Sequence, residues 1–371
     1  MKFGKKFWTA GVAFALAATL VACGGGTGSS GGSGGGSSGG TDQGQQVFEF
    51  NINNYNPSTH QFAVNVYEPW AKYVEEKSNG RIKATLYNGA TLGSSTTFRK
   101  DVAAGVSDVG LFLPDYYLES EFFPSTIATL PFAFSGATPE TATKIMKQFT
   151  EKYLLKDLNK DMHYLGGVVV TEASDLYARI PIRSLEDFKG KTFHGNGQIV
   201  SDLVTALGGT PVGGTFEEIY EGLSKGTMDG AFFSASGGVT NKVYEVGPYL
   251  TRVGVVSYNM IPVLGQPLYD RMPADLQKLV DEDLGPKLIE LFIESYKKVL
   301  AADPHKQIAD LVGNKGEVIS LPEDELQKLR LAAKPVWDKW QKQAEEKGFP
   351  AQEMMDTFKQ LLKEEGIVIP F

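Results

Sequence analysis

A histidine delivered to a turn is the first candidate for chemistry in this sequence. In the stretch GKTFHGNG, Gly190 to Gly197, the pattern predicts a β-strand ending at His194, a Gly-Asn-Gly turn through Asn196, and a helix after it. A helix N-terminus presents free N–H groups and partial positive charge, so His194 and Asn196 together could hold a ligand oxygen. Two other stretches place polar side chains where apolar runs end. VTEASD offers Thr171, Glu172, Ser174 and Asp175 as acceptors and hydroxyls. DGAFFSAS sets Phe233 and Ser234 at the end of a second run, where alternation turns one of Phe232 and Phe233 to the core and the other to a cleft. Tyr55, Asn56 and His60, in a break after the first strand, join Tyr116, Tyr117 and Asn259 as further cleft candidates. A wall with aromatic residues and few polar groups favours a ligand with a flat or hydrophobic part.

This is binding chemistry without an assembled catalyst. Outside the Gly/Ser stretch from Gly24 to Gly40, the sequence has no His-Glu-x-x-His, Gly-x-Ser-x-Gly, phosphate-loop or strand-borne Gly-x-Gly-x-x-Gly motif. His60, His163, His194 and His305 lie far apart, without metal-ligand spacing. Cys23 is the only cysteine, which rules out a disulfide within the chain and a multi-cysteine zinc site. Paired acids such as Glu75-Glu76 fall on predicted helices as solvated faces. The expectation is a non-enzymatic protein with no cofactor and no metal. A net charge of −8 argues against nucleic acid as a partner.

The elements that must position these residues follow from periodicity. VFEFNIN, RIKATLY and DVGLFLP read as strands, separated by helical segments that end at Gly80 and Gly105. Thr138 to Leu158 is helical in pattern. HYLGGVVVTEASDLYARI reads as one long apolar strand with polar residues at its end. A second β/α unit runs from about Leu165 to Leu250, and VGVVSYNMIPVLG is a further strand with the character of a crossover. After Pro273 the chain reads as nearly all helix. Two β/α units with C-terminal helices predict a two-lobed α/β protein. Ligands in such sheets sit outside the carboxyl ends of the strands, and facing lobes close by a hinge.

The N-terminus has a character of its own. Lys2, Lys5 and Lys6 precede an apolar run from Phe7 to Val21, which is short for a membrane span and suits an export signal. The run ends in Leu-Val-Ala-Cys, which resembles the bacterial lipobox and makes Cys23 the expected lipidation site. The Gly/Ser stretch from Gly24 to Gly40 predicts a flexible tether of about 25 Å root-mean-square length. Removing residues 1–22 takes away three lysines and no acids, moving the net charge from −8 to −11.

The globular part, from about Phe48 to Glu345, resembles the solute-binding proteins of TRAP transporters, the family named after C4-dicarboxylate uptake. The segments that carry the resemblance are EEKSNGRIKATLYNGATLGSS, VAAGVSDVGLF, STIATLPFAF, RSLEDFKGKTFH, LGGTPVGGTFEEIYEGLSKGTMDGA and YEVGPYLT, in that order. The resemblance implies a periplasmic-binding-protein-like fold: two α/β lobes, a ligand cleft between them, and long C-terminal helices, one braced across both lobes. It divides the chain into a lipoprotein signal peptide (1–22), a lipidated cysteine and tether (23–46), lobe 1 (47–166 with part of 256–300), lobe 2 (167–255 with part of 301–345) and a C-terminal helical extension (346–371).

It also implies a partner and a role. The protein would capture a small organic solute, an organic acid with an aromatic or apolar part, and deliver it to TRAP-type membrane transporter subunits from a lipid-anchored position in the periplasm or at the cell surface. The other role open to the same fold is a receptor for chemosensing or signalling. In the family, the residue at His194 is usually an arginine that clamps a ligand carboxylate with two parallel hydrogen bonds. Histidine cannot make that clamp and would forgo about 1.5–3 kcal/mol.

Overall fold

The computed structural model describes residues 46–170, 172–195 and 197–369. The expected signal peptide, Cys23 and nearly all of the tether lie outside the described residues, as do Thr171 and Asn196. Among the described residues twelve strands form: β1 (Phe48–Asn54), β2 (Ile82–Asn88), β3 (Val109–Phe112), β4 (Met162–Tyr164), β5 (Val168–Val169), β6 (Ser174–Ala178), β7 (Thr192–Gly195), β8 (Thr210–Gly213), β9 (Gly230–Phe233), β10 (Tyr249–Val256), β11 (Asn259–Gly265) and β12 (Glu317–Ser320).

They build two sheets. The first has the order β2-β1-β3-β11-β4, with β5 also on β11. Its β-α-β-α-β start is the one the sequence pattern predicts. Alternation in β1 buries Phe48, Phe50 and Ile52, and the helix Glu68–Lys77 covers them with Trp70 and Val74. Pro69 is tolerated because it lies in the first turn of that helix, just after the wide-turned segment Ala63–Tyr67. The second sheet has the order β12-β10-β6-β9-β7-β8.

The chain crosses between the sheets three times, the last through helices from β11 to β12, and the first two crossings are neighbours. One crossing runs from β5 to β6, the other from β10 to β11, and Val170 donates its N–H to the Tyr258 carbonyl (2.9 Å) where they meet. The single long strand expected over HYLGGVVVTEASDLYARI is therefore corrected to three, β4 and β5 in the first sheet and β6 in the second. Gly166 supplies the first break. It has φ +139°, and a Cβ there would meet the Ile289 side chain at 2.5 Å. The C-terminal part is also not purely helical, since β12 pairs in parallel with β10.

The helix Glu323–Glu346 reaches both halves. Its Glu325 accepts from the Leu185 N–H (3.2 Å) beside the second sheet, and Lys339 pairs with Asp202 (2.6 Å). Trp340 is fully buried and donates its indole N–H to Thr126 Oγ1 (2.9 Å), while Trp337 donates to the Pro131 carbonyl (3.0 Å). The helix Ala351–Glu364 then packs Phe358 against Phe134, Phe149 and Trp337.

Candidate functional site

A cavity of about 270 Å³ opens where the two sheets meet. The loop after β1 contributes Tyr55, Asn56 and His60, and the end of β3 contributes Leu111, Leu113, Asp115 and Tyr116. The second sheet contributes Ser174 from the start of β6, Phe233 from the end of β9, and Ser234 and Asn241 from the helix Ala235–Thr240 and its caps. The crossings supply Val170, Tyr258 and Met260, and the helix Gly285–Ala301 supplies Tyr296. The parallel strands thus present their carboxyl ends to the cavity, as the fold predicts.

Three rings make a corner. Phe216 lies 5.6 Å from Phe233 at 33° and 5.3 Å from Tyr258 at 90°, measured between ring centroids. Phe216 is held by a capping box. The Thr215 N–H donates to Glu218 Oε2 (2.8 Å), and the Thr215 side chain accepts from the Glu218 backbone. On the opposite side, Tyr55 donates its hydroxyl to the Leu111 carbonyl (2.7 Å) and packs edge-on to Phe98.

Charge in the cavity is sparse. His60 accepts the Phe62 N–H at Nδ1 (3.1 Å), and burial lowers its pKa to about 4, so the ring is neutral at pH 7. Asp115 is 7 % exposed, and Thr129 Oγ1 donates to its Oδ1 (2.7 Å). Burial pushes its carboxyl up to about 6, against the opposing pull of the Thr129 hydrogen bond. No lysine or arginine lines the cavity among the described residues. Beside Asp115 the two halves come close at Gly197, which has φ +82° and where a Cβ would stand 3.0 Å from the Asp115 carbonyl oxygen.

Seven residues expected at the site line this cavity: Tyr55, Asn56, His60, Tyr116, Ser174, Phe233 and Ser234. Tyr117, which donates its hydroxyl to the Thr96 carbonyl (3.1 Å), and four others lie outside its wall, mostly because backbone or side-chain groups engage them. Glu172 is buried and accepts from the Ser236 N–H (2.7 Å) and the Ser236 hydroxyl, capping the helix Ala235–Thr240, and burial raises its pKa. Asp175 accepts the N–H groups of Val253 (2.8 Å) and Gly254 (2.9 Å) where β10 is irregular, and meets His305 Nε2 at 2.6 Å. Asn259 donates to Ser125 Oγ (3.0 Å), and its Oδ1 is buried without a hydrogen-bond partner.

His194 is fully buried on β7, behind the cavity wall. Its ring lies 6.4 Å from that of Phe216, and neither nitrogen makes a hydrogen bond of normal geometry. Burial lowers its pKa, and the nearby Gly214 and Thr215 backbone and the Glu218 charge oppose that shift. Asn196 lies outside the described residues.

Asp115, Gln61, Phe216, Asn241, Tyr258 and Tyr296 are lining residues that the sequence pattern did not single out. Two had a signal. Asp115 sits beside the expected Tyr116 at a strand end, and Tyr258 occupies the middle of the expected crossover.

The family description for bacterial extracellular solute-binding protein, family 7, matches residues 52–343. The chain belongs to this family. Among relatives of the family 7 protein, the ectoine-binding periplasmic protein TeaA of Halomonas elongata is 24% identical over 307 residues, which cover 78% of this chain and 83% of TeaA. A TRAP solute-binding protein from Rhodoferax ferrireducens, solved with copurified benzoate, superposes with a TM-score of 0.77 at 20% identity, covering 86% of this chain and 99% of that one. One from Bordetella bronchiseptica, solved with bound (R)- and (S)-mandelate, superposes with a TM-score of 0.74 at 24% identity, covering 85% and 99%. These likenesses establish the two-lobed fold of the family 7 protein. It is a bacterial extracellular solute-binding protein, and solute binding is the role that the family description carries.

Proposed function

We propose that this cavity captures one small organic solute with a flat or apolar part, outside the inner membrane, and releases it unchanged to TRAP membrane subunits. The observation that carries this reading is the aromatic corner of Phe216, Phe233 and Tyr258 in a cavity of about 270 Å³ shared by two sheets. That volume is just below the usual range of ligand sites, about 300–1,000 Å³, and suits a single ring. The relatives that bind benzoate, mandelate and ectoine take compact solutes of this size.

Lobe 1 (47–166 with part of 256–300) and lobe 2 (167–255 with part of 301–345) are the bodies that close, with the crossings as hinge and residues 346–371 as an extension. Small-angle scattering tests this. Protein loaded with its copurified solute, identified by native mass spectrometry, is expected to have a smaller radius of gyration than protein emptied by unfolding and refolding. Identical curves for the two would remove the capture mechanism.

Cys23 is the proposed anchor, holding the body to a membrane by a lipid and the Gly/Ser tether. Cys23→Ser is expected to move the protein from the membrane fraction to the soluble fraction of fractionated cells. An unchanged membrane fraction would end the anchor proposal.

A further inference from the structure

We propose that Asp175 is the clasp of the hinge: its one buried carboxylate ties together the second-sheet ends of all three crossings, so that they turn as one body when the cavity closes. The proposal rests on the capture reading above and assigns a positioning residue to it.

The first support is the set of partners that the carboxylate gathers. Asp175 is the second residue of β6, just past the first crossing, and is buried. Its Oδ1 accepts the N–H groups of Val253 (2.8 Å) and Gly254 (2.9 Å), on β10 just before the second crossing. Its Oδ2 accepts from His305 Nε2 (2.6 Å), in the first turn of the helix Pro304–Val312. That helix packs Ile308 and Val312 with Tyr177 and Leu250 of the second sheet, whereas the preceding helix, Gly285–Ala301, packs on the first. The third crossing therefore passes between Ala301 and Pro304, and His305 stands at its far end. Three segments distant in sequence converge on two oxygens.

The second support is what the carboxylate replaces. Leu176 pairs with Thr251 and Ser174 with Val256, so residues 252–255 of β10 stand opposite Asp175 alone. A strand bulged in this way loses ladder partners for its N–H groups. The Asp175 side chain takes two of them, including that of Gly254, whose φ of +56° suits glycine. The bulge also reaches the other half of the protein, where Phe132 donates its N–H to the Val255 carbonyl (2.8 Å). Asp175 thus sets the shape of a segment that stands between the halves.

The third support is the joint at the last crossing. Asp303 has φ +47°, and its Oδ1 accepts the Lys306 N–H (3.2 Å) to start the helix that carries His305. Non-glycine residues in this backbone region persist where their surroundings hold them, and they gather at moving parts.

The clasp is also joined to the cavity. Ser174, which precedes Asp175, and Phe233, which pairs with it across β9, both line the wall. A solute that draws on these two residues draws on β6 and β9, and the clasp passes the motion to β10 and to the helix together. Without it each crossing flexes by itself, the empty protein samples more arrangements of its lobes, and closure costs more entropy.

The test is the spread of distances between the lobes of the empty protein. Pulsed electron spin resonance reads it from spin labels at Lys83→Cys and Lys189→Cys, both exposed, in a Cys23→Ser background that has no other cysteine. Asp175→Ala and His305→Ala are each expected to widen the distance distribution about two-fold or more, and to weaken any binding of benzoate or mandelate about three-fold or more. Asp175→Asn, which keeps an oxygen for the β10 N–H groups, is expected to fall between parent and Asp175→Ala. Unchanged widths, with only a lower unfolding temperature by circular dichroism, would reduce Asp175 to a fastening of the bulge and overturn the proposal. The His305 side chain is 26 % exposed, so His305→Ala decides the matter where the Asp175 variants fail to fold. The widths are read without solute, which keeps the two readings apart. A parent that binds neither acid and retains no solute in native mass spectrometry would overturn the capture reading, and the widths would still decide the clasp.

Discussion

Asp115→Asn is expected to raise the unfolding temperature of the empty protein by several degrees at pH 7.5 and to leave it nearly unchanged at pH 4. The carboxyl sits at 7 % exposure, and burial moves its pKa from 3.8 to about 6. The folded chain therefore binds this proton more tightly than the unfolded chain. The stabilisation from the neutral form is complete below about pH 4 and is lost as pH rises through about 6. Above that, the ionised group costs about 3 kcal/mol, because raising a carboxyl pKa by about two costs roughly 1.4 kcal/mol for each step of one. Asparagine has the same shape without the charge, and its Oδ1 can still accept the Thr129 hydroxyl. The expected gain is about 2–3 kcal/mol at pH 7.5, read by thermal unfolding across a pH series. A difference between variant and parent that does not change with pH would show that the carboxyl is not held in the protonation balance described. A site that gives up stability in its empty state to keep a charged group is the usual mark of a binding function.

His194→Ala is expected to cost the empty protein about 2–4 kcal/mol, with solute affinity falling by less than ten-fold. The side chain is fully buried in β7, in the interior of the second sheet, and its Nε2 lies 3.3 Å from where a Cβ on Gly214 would stand. Removing the ring leaves a void that a hydrogen-bonded strand cannot collapse to fill. Its nitrogens make no hydrogen bonds of normal geometry, so the expected cost is chiefly that of the cavity. The solute would feel the change through Phe216. Denaturant unfolding and titration on the same preparation read both quantities. The reverse pattern, intact stability with a ten-fold or greater loss of affinity, would place the imidazole on the solute in the closed protein.

The fate of particular residues shows where sequence reading succeeds. β1 was legible because FEFNIN alternates and one face is buried. The crossover character of VGVVSYNMIPVLG was legible, but its division at Tyr258 into β10 and β11 was not, because the run reads as one apolar strand. The split of HYLGGVVVTEASDLYARI between two sheets was not legible, since both parts are buried and nothing in an apolar run says which sheet buries it.

At the site, Phe233 and Ser234 follow from strand alternation and a strand end. Glu172 and Asp175 were chosen for their chemistry, but backbone N–H groups took up that chemistry, and only the folded chain shows which donors come near. Asp115 reads in LPDYY as an ordinary turn acid. Its enclosure by Thr129 and the approach of Gly197 comes from residues distant in sequence. The resemblance to TRAP solute-binding proteins named the family, yet its arginine position led to His194, one layer behind the wall.

The interleaving of the two sheets governs how the chain is made. β11 lies between β3 and β4 in the first sheet, yet it begins at Asn259, long after β3 ends at Phe112. The first sheet cannot close until Gly265 has been synthesised, and the edge of the second waits for Ser320. Pairings so distant along the chain form slowly, because the loop between partners must be closed before they reward it. A chain truncated just after Leu250 would hold no sheet able to finish, and neither lobe can be transplanted between relatives as one uninterrupted segment. Late completion also keeps the polypeptide loose while it is being extended, the condition in which a protein can be threaded through a membrane before it folds.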